Sequence, residues 1–244
     1  AVFFMERYKL FKEITDIQNM YKIMMSYYDQ NGISFYAIGI PMLESVELLK
    51  AADLVEEADR LLSCYEEHGQ RIIKNSLCYP AHEVKYEQSI VAPAVSYLLQ
   101  LYELTGKEVY LEEGKKQLAV LKLFNGHQPD YHMYENAIRH WDGYWFGKYK
   151  NYGDTFPHYW SALSGLVFHE YGKITGDSEY DKMAENSLRG VLSAFHEDGS
   201  ASCAYVYPYR VNQVKCAYED PWANDQDWAL YYYLKEGKNY DRSR

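Results

Sequence analysis

One short pattern occurs twice in this chain, each time between two helical stretches. Residues 104–110 read LTGKEVY and residues 174–180 read ITGDSEY. Apolar residues at helical spacing precede and follow both copies, and a Thr-Gly pair is typical of a helix end followed by a new helix. A short turn makes two helices antiparallel neighbours, so each copy predicts a helical hairpin. Repeated hairpins indicate an all-α fold.

The rest of the chain follows a similar organisation. Residues 10–28 predict a helix that ends at Asn31 and Gly32, and residues 42–50 and 53–67 predict a further helical pair. Residues 89–104 and 107–124 form the pair around the first Thr-Gly turn. Residues near 200–215 alternate among small, aromatic and polar side chains around Pro208, which predicts a short β-ribbon. The acids and proline of residues 219–225 then predict the start of a last helix that reaches about Lys235.

Composition limits the number of domains and the classes of partner. No linker rich in proline, glycine or serine divides the 244 residues, so we expect residues 1–244 to form a single domain. A formal charge of −10 argues against nucleic acid and anionic membrane as partners, because both bind clustered cations. The charge leaves an acidic sugar open as a substrate, since a local cationic pocket can lie in an acidic protein.

Membrane, metal and cofactor signals are weak in this sequence. No apolar run approaches the roughly 20 residues of a membrane helix, and the first four residues, AVFF, lack the cationic region of a signal peptide. Location therefore stays open between the cytoplasm and secretion. The four cysteines show no metal-ligand spacing and no HExxH motif occurs, so we expect neither a metal nor a cofactor.

Residues 139–164, RHWDGYWFGKYKNYGDTFPHYWSALS, are the candidate functional segment. Most connections between helices run about 4–6 residues, and longer ones tend to be functional or disordered. Aromatic rings need packing partners, so we expect this segment to fold against neighbouring helices. The chain holds 27 tyrosines, whose flat faces and polar tips suit sugar rings as well as half-buried helix surfaces.

Three stretches give the chain a resemblance to a known superfamily. They are YEQSIVAPAVSYLLQLYELTGKEVYLEEGKK, HWDGYWFGKYKNYGDTFPHYWSALSG and YEDPWANDQDWALYYYLK, within residues 86–235. Their helical hairpins and long aromatic loops resemble the α/α toroids of the six-hairpin glycosidase-like superfamily, which includes glycoside hydrolases, unsaturated-uronide hydrolases and polysaccharide lyases. The resemblance implies an incomplete toroid of about four hairpins with a cleft where the loops meet.

A toroid with fewer than six hairpins would leave an apolar edge exposed. We therefore expect either that the chain is the C-terminal part of a longer enzyme, with a missing N-terminal segment, or that a second copy completes the ring. The partner implied by the resemblance is a saccharide substrate.

The preferred reaction is β-elimination at a uronic acid, which needs a base, an acid and a group that neutralises the carboxylate. Histidine and tyrosine are the usual bases and acids in the toroid lyases that this chain resembles. The segment supplies them together with two carboxylates and two cations. The catalytic candidates are His140, Tyr144, Tyr149, His158, Asp142 and Asp154, with Arg139 and Lys148 as candidate neutralisers.

Two other functions stay open at this point. A glycoside hydrolase would need a pair of carboxylates flanking the scissile bond, and Glu87, Asp142, Asp154, Glu219, Asp220 and Asp225 are available. Asp220 and Asp225 are equally plausible as helix caps. A non-catalytic toroid could also hold a glycan on its aromatic face, or serve as an assembly domain.

The candidate substrate-binding residues combine tryptophans, cations and polar groups near the aromatic segment and the last helix. The tryptophans could equally fill the upper layer of the ring, and the histidines outside the segment, including His169, are expected to be core residues. The candidates are Arg139, Trp141, Trp145, Lys148, Trp160, Glu87, Trp222, Asn224 and Asp225.

Overall fold

The structure of the chain is a computed structural model. It describes residues 1–34, 36–37, 40–76, 88–124, 160–195, 197–201, 204–205, 210–215, 219–220 and 226–237. Contacts divide the chain into two compact units. Unit 1 comprises Ala1–Pro80 and Pro93–Gln117, and unit 2 comprises Ala81–Ala92 and Leu118–Arg244.

The described part of the chain is predominantly helical, and the predicted all-α class is confirmed. A π-helical turn at Tyr233–Gly237 continues directly from the last α-helix. The α-helices are α1 (Val2–Phe11), α2 (Ile14–Asn31), α3 (Ser45–Ala51), α4 (Val55–Asn75), α5 (Gln88–Thr105), α6 (Glu108–Leu121), α7 (Ser161–Thr175), α8 (Ser178–Gly190) and α9 (Gln226–Tyr232).

The two Thr-Gly turns adopt the same geometry, as the repeat predicts. Each threonine hydroxyl donates to the carbonyl four residues earlier, at 2.6 Å for Thr105 and 2.8 Å for Thr175. Gly106 and Gly176 then take φ values of 67° and 73°, the left-handed conformation that glycine adopts without steric strain. Each turn ends one helix and lets the next begin two residues later.

The helix predicted over residues 10–28 corresponds to α2, and a further helix, α1, precedes it. Lys12 adopts φ 59° and ends α1, and α2 begins at Ile14 and runs to the predicted stop at Gly32. The α1–α2 pair is held by a salt bridge of 3.3 Å between the half-exposed Arg7 and the buried Asp16. Within the described residues, α1–α2, α3–α4 and α7–α8 form contacting pairs, and α5–α6 flank the first Thr-Gly turn.

A short β-ribbon is present, as predicted, but it extends further than residue 215. Strands β2 (Arg210–Val211) and β3 (Val214–Lys215) form an antiparallel hairpin, and β1 (Ala204–Tyr205) pairs antiparallel with β4 (Glu219–Asp220). Asn212 and Gln213 have positive φ values, as the turn of a two-residue hairpin requires. The prediction that residues 219–220 open the last helix is wrong, because they pair with β1 and α9 begins at Gln226.

The core of unit 1 is formed where α2, α3, α4 and α5 bury apolar side chains. Gly69 on α4 allows a close approach, since a Cβ atom there would lie 2.3 Å from Leu101 and 3.2 Å from the Tyr110 ring. Both of those side chains are buried. The fully buried apolar residues of these helices include Ile17, Met20, Leu49, Leu61, Ile72, Val95 and Leu98.

The core of unit 2 centres on the α7–α8 hairpin. Gly165 and Gly172 lie seven residues apart on α7, which places them on one face of the helix. A Cβ atom at Gly165 would lie 2.6 Å from Leu188 Cγ, and one at Gly172 would lie 2.9 Å from the Asp181 carboxylate. These two glycines let α7 and α8 pack closely, and α9 packs against α7.

Candidate functional site

Three candidates fall within the described part of the chain. Glu219 and Asp220 form strand β4, which pairs with β1, and their role in a carboxylate pair stays a prediction. The third candidate is Trp160. It occupies the N-cap position of α7, and its carbonyl accepts hydrogen bonds from the amides of Leu163 and Ser164 at 3.0 and 3.3 Å. Its side chain is only 7% exposed. Trp160 therefore fixes the start of α7, and its role in a sugar subsite stays a prediction.

The remaining candidates lie outside the described residues, so the structure does not test whether they converge, and their roles stay predictions. They are Glu87, Arg139, His140, Trp141, Asp142, Tyr144, Trp145, Lys148, Tyr149, Asp154, His158, Trp222, Asn224 and Asp225.

A buried hydrogen bond joins the end of the candidate functional segment, residues 139–164, to the start of α5. Gln88, the first residue of α5, donates from Nε2 to Ser164 Oγ on α7 at 3.1 Å. Both side chains are buried, and both belong to unit 2. Glu87 immediately precedes Gln88 in the sequence, and His158 precedes Trp160 by two residues. The described residues thus place the end of the candidate functional segment in contact with Gln88, the residue that follows the candidate Glu87.

Unit 1 contains a buried cluster of tyrosines around one histidine. The His68 ring lies 2.7 Å from the Tyr36 carbonyl through Nε2 and 3.2 Å from the Tyr28 hydroxyl through Nδ1. A carbonyl can only accept, so Nε2 carries the proton and Nδ1 accepts from Tyr28. The Tyr97 hydroxyl donates to the Tyr65 carbonyl at 3.2 Å and lies 3.3 Å from that of Tyr28.

Burial sets the charge state of this cluster. It lowers the pKa of His68, with the Tyr36 hydrogen bond opposing, and it raises the pKa of Tyr28 and Tyr65. The imidazole and the phenols are therefore neutral near pH 7. Because His68 is inaccessible to solvent, the cluster can hold the helices and the chain at Tyr36 in place but cannot reach a polysaccharide.

A second histidine, in unit 2, has the opposite charge preference. His169 Nε2 on α7 lies 3.3 Å from Glu236 Oε2 in the π-helical turn, and both side chains are mostly buried. The hydrogen bond to Glu236 raises the pKa of His169, and the same bond lowers the pKa of Glu236. The turn that follows α9 thus supplies a carboxylate that favours the imidazolium form.

Sequence reasoning did not find these two polar sites. His68 was not singled out, and His169 was expected to be a core residue rather than half of an ion pair. The spacing of Tyr65 and His68, three residues apart on an amphipathic helix, was the available signal, because it places both on one face.

The remaining site types in the described part of the chain concern metal ions, membranes and reactive thiols. No group of three or more His, Cys, Asp or Glu side chains there could hold a metal ion. Among those residues, no helix is long and apolar enough to cross a membrane. Cys64 is a free thiol, and burial raises its pKa, which disfavours the reactive thiolate.

Comparison with known proteins gives one informative similarity. No family model matches the sequence, and no curated protein matches it. A solved polysaccharide lyase structure is 52% identical, with a TM-score of 0.80 over 95% of this chain and 34% of that chain. The chain has a polysaccharide-lyase-like fold.

This similarity confirms the prediction of an all-α fold with toroid-type helical hairpins. No family model confirms the six-hairpin superfamily itself. The chain spans about a third of the length of the related structure. Activity and substrate are therefore questions for the whole protein rather than for these hairpins.

Proposed function

We propose that this chain is part of a carbohydrate-active lyase that cleaves a uronic-acid-containing polysaccharide by β-elimination. The observation that carries the proposal is the 52% identity, over 95% of this chain, to a solved polysaccharide lyase. At that identity the two chains share side chains as well as backbone, which supports a reaction class beyond the fold alone.

The proposed reaction assigns roles to residues 139–158. Arg139 or Lys148 neutralises the uronate carboxylate, which makes the proton on the adjacent carbon more acidic. A histidine or tyrosine takes that proton as general base, and the electron pair of the broken C–H bond forms a carbon–carbon double bond. The glycosidic oxygen on the next carbon leaves and receives a proton from a second histidine or tyrosine. The candidates for these two roles are His140, Tyr144, Tyr149 and His158.

We also propose that the chain is part of a longer enzyme. Helix α1 supports this, because its apolar residues lie on two opposite faces. Met5 and Tyr8 are buried, while Phe3 and Leu10 are 65% and 76% exposed. At 3.6 residues per turn, Phe3 and Leu10 share a face that lies about 200° around the helix from Met5. A helix that is apolar on both sides is normally covered on both sides, here by a further helical segment of the enzyme.

The experiment is to incubate the intact enzyme that contains this chain with a panel of uronic-acid polysaccharides and to follow ultraviolet absorbance of the unsaturated product. We expect absorbance to rise with the native protein and to be abolished by His158→Ala. The matched control is His169→Ala, which removes a histidine paired with Glu236 and should retain turnover.

Other outcomes separate the alternatives. New reducing ends without an absorbance change would refute the lyase and favour hydrolysis by a carboxylate pair such as Asp142 and Asp154. Binding of the polysaccharide without either product would refute catalysis and favour a glycan-binding module.

A further inference from the structure

Gln88 occupies an unusual environment for a polar side chain. It is the first residue of α5, yet it is only 1% exposed. Its partner Ser164 is completely buried in the first turns of α7, 76 positions away in the chain. The bond of 3.1 Å between them therefore fixes one helix start against another.

The hydrogen bond to Ser164 uses only one of the two polar atoms of the Gln88 amide. Nε2 donates to Ser164, but Oε1 is buried and has no hydrogen-bond partner among the described residues. Flipping the amide by 180° would exchange its oxygen and nitrogen, but one of the two atoms would still lack a hydrogen-bond partner. A buried polar atom without a partner destabilises a fold by about 1–3 kcal/mol, so an apolar pair of the same shape would be at least as stable here. Stability alone does not explain a glutamine at this position.

We propose that Gln88 is a positioning residue that holds the end of the candidate functional segment, residues 139–164, against the start of α5, an inference that rests on the proposed lyase function. Gln88 directly follows Glu87, and Ser164 lies four residues after Trp160 and six after His158. Consecutive Cα atoms are about 3.8 Å apart, so fixing the starts of α5 and α7 also fixes the chain positions next to Glu87 and next to the rest of the candidate functional segment.

The test uses substitutions that keep volume and remove the hydrogen bond. Gln88→Met preserves an unbranched side chain of similar size, and Ser164→Ala removes the hydroxyl. In the intact protein we expect each to lower kcat by about tenfold or more, with a smaller change in KM, because small displacements of catalytic groups slow the chemical step. The double variant should lose no more than either single one.

A second Gln-Ser pair in the same helix provides the control. Gln100 donates to Ser96 Oγ at 3.1 Å within α5, in the part of the helix that belongs to unit 1. Ser96→Ala removes a bond of the same chemistry away from the candidate functional segment and from Glu87. It should leave kcat unchanged, and Ser164→Thr, which retains the hydroxyl, should restore most of the activity lost in Ser164→Ala.

Amide hydrogen exchange gives a readout that does not depend on activity. Gln88→Met should speed exchange in residues 89–97 and in residues 161–169 together, whereas Ser96→Ala should leave the second range unchanged. An active native protein whose Gln88→Met variant keeps kcat and exchange in residues 161–169 would overturn the positioning role while the lyase function stands. A native protein that produces no unsaturated product would refute the lyase and with it the positioning role, even if the exchange coupling is found.

Discussion

Gly165 offers the sharpest test of how the α7–α8 hairpin is packed. A Cβ atom at this position would lie 2.6 Å from Leu188 Cγ, 3.0 Å from its Cδ2 and 3.2 Å from its backbone nitrogen. Leu188 is completely buried, and its backbone belongs to α8. Neither the side chain nor the backbone can move away without separating the two helices. Gly165→Ala should therefore destabilise unit 2.

The magnitude follows from two opposing effects. Overpacking a well-packed core by one methyl group costs about 1–3 kcal/mol. Replacing glycine by alanine inside a helix returns up to about 1 kcal/mol, because alanine has the higher helix propensity. Gly114→Ala in α6 isolates the second effect, since its Cβ atom would meet Leu99 at an ordinary contact distance of 3.4 Å. The difference between the two variants should thus be about 1–3 kcal/mol.

Urea unfolding monitored by amide hydrogen exchange can measure both variants, because it resolves the free energy of opening for each helix pair. We expect peptides of α7 and α8 to lose protection in Gly165→Ala. In Gly114→Ala, α6 should keep or gain protection. Equal shifts of the same sign in the two variants would refute the argument, since both would then report helix propensity and not the approach of Leu188.

Three further predictions follow from polar and apolar contacts. The His169–Glu236 pair should stabilise the fold most between pH 4.5, the ordinary pKa of glutamate, and pH 6.5, the ordinary pKa of histidine. Stability should fall as the pH rises through the raised pKa of His169, and it should also fall as the pH drops through the lowered pKa of Glu236. Glu236→Gln should flatten both limbs of a plot of unfolding free energy against pH, and an unchanged plot would contradict the pairing. Tyr97→Phe should cost about 0.5–1.5 kcal/mol by removing a buried hydrogen bond to the Tyr65 carbonyl, whereas Tyr102→Phe, at an exposed bond of 3.4 Å, should change stability little; equal losses in urea titration would argue against the buried network. Leu10→Ser should leave the stability of the isolated chain nearly unchanged but reduce its binding of a hydrophobic fluorescent dye, and undiminished binding would show that α1 does not present an apolar surface.

The helical hairpins could be predicted from the sequence because the signals that define them are local. Thr105 and Thr175 each bond to a carbonyl four residues earlier, and the following glycines take a conformation that few other residues adopt. The same local rules failed at residues 219–220, where acids before a proline predicted a helix start. Pairing with residues 204–205 decided the outcome there, and a window of neighbouring residues contains no sign of that partner.

The polar sites could not be predicted because their members are far apart in the chain. Tyr28 and His68 are separated by 40 positions, and Gln88 and Ser164 by 76. Each looks like an ordinary member of an amphipathic helix until packing brings its partner within reach. Residues 139–158 remain the best candidates for catalysis on the grounds of their chemistry, and the structure adds where the chain enters and leaves the neighbouring helices.

The contacts of unit 2 separate stability from activity in a way that experiment can exploit. Gly165 holds α7 against α8 by close apolar packing, so its substitution should change the free energy of unfolding directly. Gln88 contributes little net stability, because its bond to Ser164 is offset by the buried amide oxygen that lacks a partner. Substitution of Gln88 should therefore change turnover, and speed local opening at the two helix starts, with little effect on the global free energy of unfolding. If turnover instead fell in proportion to stability across both variants, the two helix starts would have no role beyond holding the fold together.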